Sequence, residues 1–154
     1  MPHDLSIVLV TPEIPTNTGS IGRLCLATNS TLHLVDPLGF DISDSRVKRA
    51  GLDYWKHVKL IRHKSFELFL NSLPSEAPTV FFSTKAKNSL FEKKFKKGSY
   101  LIFGSETKGL GAELIEKFSE NTFHIPQYDD RVRSLNLANA ASIVVYETIR
   151  QLGY

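Results

Sequence analysis

Short apolar runs alternate with amphipathic stretches along the whole chain. Six runs read as strands: Ser6–Val10, Thr31–Val35, Val58–Ile61, Thr79–Ser83, Tyr100–Phe103 and Thr122–Ile125. Several are continuously apolar, the pattern of strands covered on both faces. Between them, apolar residues three and four apart predict helices at Gly19–Thr28, Ser43–Ala50, Ser65–Leu73 and Ala112–Phe118, with a weaker pattern near Leu90–Phe95. A last helix is predicted from about Leu137 to Leu152. Alternating strand and helix argues for an α/β fold: a mainly parallel six-stranded sheet with helices on both faces. No repeat, low-complexity tract or linker divides the chain, and 154 residues suit one domain, 1–154.

The last helix carries the fullest signal. Asn136 is placed to cap its start and Gly153 to stop it. Leu137, Ala141, Val144, Val145, Thr148 and Leu152 share one face. Ala138, Ala141 and Ser142 make the first turns narrow, so that backbone or another chain can approach closely. With Ile21 and Leu24 of the first helix they suggest a two-fold contact between copies.

Composition narrows the class. Hydrophobic content of 42% and charged content of 23% are those of an ordinary globular protein. No apolar stretch approaches the roughly 18 residues of a membrane span. The start, MPHDLSIVLV, lacks a basic region ahead of its short apolar run, so no signal peptide is expected. The single cysteine, Cys25, excludes an internal disulfide and suits a reducing cytoplasm. Net charge is only +3, yet seven basic residues lie between Asp44 and Lys64, and six lysines between Lys85 and Lys97. Such clusters can meet phosphates.

The familiar nucleotide signatures are missing. No G-x-G-x-x-G follows the first strand, since GSIG (Gly19–Gly22) falls inside a helical pattern; there is no Walker loop and no H-E-x-x-H. No metal site is expected. Two late segments offer another way to hold a nucleotide-like ligand. LIFGSETKGL (Leu101–Leu110) and IPQYDDRVRSLNLANAASIVVYETIRQ (Ile125–Gln151) each run from an apolar strand through a polar loop into a helix. That arrangement presents backbone amides at the carboxyl edge of a parallel sheet. Cys25 lies within the apolar stripe Leu24–Ala27, where a core role is expected in place of a nucleophile's.

Together with PEIPTNTGSIGRLC (Pro12–Cys25), these segments resemble the three motifs of the SpoU/TrmH branch of the SPOUT methyltransferases. The spacing, the short length and GLDYW (Gly51–Trp55) are most similar to its minimal members, which 2′-O-methylate the tRNA wobble nucleotide. That is a cytidine or modified uridine in leucine tRNAs. The resemblance implies a C-terminal trefoil knot, S-adenosylmethionine as methyl donor, a homodimer, and the tRNA anticodon stem-loop as partner. It places catalysis on Arg23, with Asn17 and Asn136 assisting. Cofactor contacts fall on Phe82 or its neighbours Ser83 and Thr84, then on Gly104, Ile125 and Ser134, with Glu106 beside them. Substrate contacts are expected at Arg49, Tyr54, Lys56 and one of Arg131 and Arg133, with Arg133 preferred. Two other readings fit the same residues: a noncatalytic RNA-binding module, and a 2′-O-methyltransferase of ribosomal RNA.

Overall fold

A computed structural model describes residues 2–154. Its sheet has seven strands: β1 (Ser6–Val10), β2 (Thr31–Val35), β3 (Leu60–His63), β4 (Thr79–Phe82), β5 (Asn88–Ser89), β6 (Tyr100–Phe103) and β7 (Thr122–His124). Their order is β3-β2-β1-β6-β4-β7-β5, and every neighbouring pair is parallel. Five helices lie among them: α1 (Pro15–Ala27), α2 (Ser45–Gly51), α3 (Phe66–Ser72), α4 (Ala112–Lys117) and α5 (Leu137–Leu152). From β1 the chain builds outward to β2 and β3, and then crosses to build the other half beside β6. The reversal leaves a crevice where the loops after β1 and β6 part, the usual ligand position in an open α/β sheet.

The continuous apolar strands are explained by cover on both sides. Ile7, Leu9, Leu101 and Phe103 pack with Ile21 and Cys25 of α1 and with Ala141, Val144 and Val145 of α5. The alternate residues Val8, Val10, Phe81 and Ile102 pack with Phe69 of α3, against Leu114 of α4 and against Phe118. All five residues of β1 are buried.

Several expectations need correction. The sheet has seven strands instead of six, because Asn88–Ser89 adds a two-residue edge strand on β7. The strand expected at Val58–Ile61 begins two residues later, after a 3₁₀ turn at Leu52–His57 in which the Trp55 carbonyl accepts from the Val58 amide. Leu90–Phe95 gives a 3₁₀ turn at Leu90–Glu92 in place of a helix. α1 begins at Pro15, four residues before the expected Gly19, because proline in a first turn needs no amide hydrogen. α5 matches its expected span, with Asn136 Oδ1 accepting from the amides of Ala138 and Asn139 and Gly153 in the left-handed region at φ 82°.

The packing of α1 also reassigns its small residues. A Cβ on Gly19 would lie 2.3 Å from the Val47 carbonyl oxygen, and one on Gly22 would lie 2.5 Å from the Trp55 ring. GSIG is therefore a notch that seats α2 and Trp55. The small-residue face of α5 is likewise internal in part. Ala141 and Ile21 are both fully buried in one cluster, with Ala138 and Leu24 packed against it. Ala141 and Ile21 thus join α5 to α1 within the chain and offer nothing to a second copy, while Leu24, Ala138 and Ser142 stay partly exposed.

Candidate active site

The crevice is closed by hydrogen bonds between segments far apart in sequence. After β6 the chain turns sharply at Gly104, where a Cβ would sit 2.0 Å from the Gly109 carbonyl carbon and 2.2 Å from the Leu110 nitrogen. The loop folds back on itself through the paired backbone bonds of Ser105 and Gly109, 3.2 and 2.9 Å long. Gly104 thus serves the loop's own backbone, which leaves no space for a side chain at this turn.

The fold-back presents Glu106 to the start of α1. Its carboxylate accepts from the Glu13 and Ile14 amides, each at 2.8 Å, and from Asn17 Nδ2 at 3.2 Å. Asn17 Oδ1 in turn accepts from Asn136 Nδ2 at 3.0 Å, across 119 residues of sequence. In the opposite direction, Glu13 accepts from the Thr107 amide at 3.0 Å and hydroxyl at 2.7 Å, bonds that hold its carboxyl below the usual carboxylate range. One chain of bonds therefore ties all three motifs together.

These bonds bear on three expected site residues. Glu106 turns both oxygens to the start of α1, which fixes the cavity wall that it also lines. Asn136 uses its oxygen to cap α5 and its amide to hold Asn17. Asn17, only 7% exposed, is occupied on both sides. Asn17 and Asn136 thus link the loop after β6, α1 and α5.

Beside this network lies a cavity of about 510 Å³. Of the expected cofactor residues, Phe82, Ser83, Thr84, Gly104, Glu106, Ile125 and Ser134 all line it. Phe82 and Phe103 form its apolar floor, with ring centroids 5.0 Å apart. Ser83, Thr84 and Ser134 bring hydroxyls to it. Volume and lining match a drug-sized organic ligand with an apolar body and a polar periphery.

The expected substrate residues divide. Arg133 lines the cavity and a second groove beside it. Arg23, Arg49, Tyr54 and Lys56 are exposed and border neither. The Arg23 guanidinium lies over the Tyr54 ring, 5.7 Å from its centroid. Six residues beyond Asn17, it stands about 9 Å farther along α1 and on another side of the helix. Trp55 is partly buried and packed against the core, so Tyr54, with Arg23 over its ring, is the more exposed of that pair.

The sequence profile of the SpoU rRNA Methylase family matches residues 4–146. The chain belongs to the SpoU methylase family. A tRNA (cytidine(34)-2'-O)-methyltransferase of Aeromonas hydrophila is 48% identical over 153 residues, 97% of this chain and 96% of that protein. The protein of the same name from Escherichia coli K12 is 44% identical, over 97% of this chain and 95% of its own. A solved structure described as "Structural insights into the 2-OH methylation of C/U34 on tRNA" superposes with a TM-score of 0.94 at 47% identity, covering 99% of this chain and 98% of that one.

Within this SpoU chain, Cys25 is fully buried and burial pushes its thiol far up, which removes it as a nucleophile. Among the described residues no group of three His, Cys, Asp or Glu side chains could hold a metal ion, and no helix is long and apolar enough to cross a membrane. The sequence reading missed Glu13 and Thr107. An acidic residue just ahead of a helix start was the only local signal, and its partner 94 residues away is visible only in the fold. Lys85, Leu110 and Leu137 were also missed as cavity lining.

Proposed function

We propose that this chain transfers a methyl group from S-adenosylmethionine to the ribose 2′-hydroxyl of the tRNA wobble nucleotide, a cytidine or modified uridine, foremost in leucine tRNAs. The observation that carries this is the convergence of the three motifs on one cavity through the Glu106–Asn17–Asn136 chain. We take residues 1–154 as one catalytic domain working in the cytoplasm.

The cavity residues fit the cofactor. Phe82, Ile125 and the Gly104–Leu110 backbone suit the adenosine, and Ser83, Thr84 and Ser134 suit ribose and carboxylate. Bound there, the cofactor supplies an electrophilic methyl group on its sulfonium. The 2′-oxygen would take that methyl as its bond to sulfur breaks, leaving a neutral thioether, and would lose its proton to water or a neighbouring phosphate. The chain's share is to position the ribose and to stabilise charge on that oxygen. Arg23 suits the second task as a donor, because a guanidinium stays protonated and cannot act as the base. Arg133, at the cavity rim, suits a phosphate of the substrate.

Arg23 does not border the cavity of its own chain, which supports a homodimer with each Arg23 serving the partner's cavity. Exposed groups available for that contact are Ser20, Arg23 and Ala27 on α1 and Ile143 and Tyr146 on α5. Ile143 and Tyr146 are 41% and 55% exposed, large apolar groups that a second copy would cover. We also read the C-terminal segment as a threaded trefoil knot. Its support is that α5 runs from the Gly104–Gly111 loop to Lys93 and Phe95, where Gln151 bonds both backbones.

The test mixes pure protein with labelled cofactor, total tRNA and ribosomal RNA, and then maps the methyl group by nuclease digestion. Label at the wobble ribose is expected. RNA binding without transfer would favour a noncatalytic module, and label only in ribosomal RNA would move the substrate. Mixing Arg23→Ala protomers with Ser134→Trp protomers, whose cavity rim is blocked, should restore part of the lost activity. Absence of rescue in a stable dimer would return Arg23 to its own subunit.

A further inference from the structure

Beyond the cofactor cavity lies a second, more open groove of about 790 Å³ that shares Thr84, Ile125, Gln127 and Arg133 with it. One side is the loop Gln127–Arg133. Tyr128 on this loop is 90% exposed, the most exposed large apolar side chain described, and Val132 beside it is 52% exposed. An aromatic ring left almost wholly in water gains nothing for the fold. The loop around it is nevertheless built. Gln127 Nε2 donates to the Val132 carbonyl at 3.0 Å and closes its base, and the Val132 amide donates to the Asp129 carbonyl at 3.3 Å. Arg131 is clamped on Asp129 by bonds from Nε and Nη2, which neutralise it and hold its guanidinium flat.

We propose that this groove is a nucleotide site: Tyr128 stacks an unpaired base next to the nucleotide being methylated. The inference rests on the RNA substrate of the preceding section and deepens it. The shared wall sets the groove directly beside the cofactor cavity, where a nucleotide next to the methylated one would lie. Charge sets the orientation. Asp130 is exposed and its carboxylate repels a phosphate at the loop tip, while Arg133 stands where groove and cavity meet. The backbone of the RNA therefore runs past Arg133, and the base points outward onto Tyr128. A phenol ring stacks on any base, so this site supplies grip and register more than sequence choice. An anticodon loop, whose bases are unpaired and can splay, is a substrate of the right kind.

The test measures methyl transfer to an anticodon stem-loop by wild type, Tyr128→Ala and Tyr128→Phe, together with cofactor affinity by calorimetry. Tyr128→Ala should raise KM for RNA about tenfold, the loss of one stacked base, with cofactor affinity and melting temperature unchanged. Tyr128→Phe should restore KM to within about twofold, since the ring and not the hydroxyl stacks. An alanine variant within twofold of wild type in KM would overturn the site. A change in cofactor affinity equal to that in KM would assign the loop to the cofactor instead. If wild type methylates no RNA, the proposed function fails first, and that outcome is separate from either of these.

Discussion

The bond network around Glu106 predicts that this residue controls the site through the loop it holds against α1. Glu106→Gln keeps shape and size but replaces one acceptor oxygen with a donor. Oε1 accepts one bond, from the Glu13 amide, and Oε2 accepts two, from the Ile14 amide and Asn17 Nδ2. The glutamine will place its oxygen at the Oε2 position, keep two bonds, and set its own N–H group against the Glu13 amide. One charge-assisted bond is lost and the other two weaken, while water reaches the half-buried loop and offsets part of the loss. The net cost is about 2 kcal/mol, within the range for hydrogen bonds to charged groups. For a chain of this size that lowers the melting temperature by roughly 4–8 °C. The cavity wall formed by Gly104–Leu110 loses its tie to α1, so cofactor affinity should fall about tenfold, equal to about 1.4 kcal/mol. Calorimetric unfolding and cofactor titration on the same preparation check both values. Wild-type melting together with wild-type affinity in Glu106→Gln would refute the claim that this bond chain holds the site together.

Three further outcomes follow from particular distances. Gly104→Ala drives a Cβ into the Gly109–Leu110 backbone and must break the Ser105–Gly109 pair, a destabilisation of about 2–3 kcal/mol visible in denaturant unfolding. A fully stable alanine variant would show that the loop has slack. Arg23→Lys should keep cofactor affinity but lower turnover at least about a hundredfold, because a point charge does not replace the guanidinium fork; turnover within a few-fold of wild type would reduce Arg23 to general charge. Burial, with His63 beside it, lowers the pKa of His33 from 6.5 to about 4, and its Nδ1 lies 2.9 Å from His63 Nε2. The folded state prefers neutral His33, so this stability is full above about pH 6.5 and is lost as pH falls toward 4, about 2 kcal/mol by pH 5. His33→Leu should flatten the slope, and an unchanged slope would clear His33 of it.

The sequence by itself determined the layered α/β plan. Strands such as Ser6–Val10 are apolar at every position because the fold covers both faces, and that lack of alternation is a local property of the chain. The ends of α5 were equally local, since a capping asparagine and a stopping glycine act within a few residues of themselves. The cavity lining at Phe82–Thr84, Gly104, Ile125 and Ser134 was reached through motifs, which mark the ends of strands and starts of helices wherever those finally meet. Tertiary structure alone decided how the groups are used. Glu106 and Asn17 find partners across 89 residues, and no periodicity records a bond of that span. Gly104 was legible as a turn glycine, but the Gly109–Leu110 backbone that fills its empty side is set by the loop's return path. Ala141 and Ile21 read equally well as a partner surface or a core, because a narrow apolar stripe fits both. Only the packing of α5 on α1 chose between them, and it left Ile143 and Tyr146 on the outside instead. Local chemistry fixes where chain direction and character change, while the pairing of distant polar groups depends on which loops the strand order brings side by side.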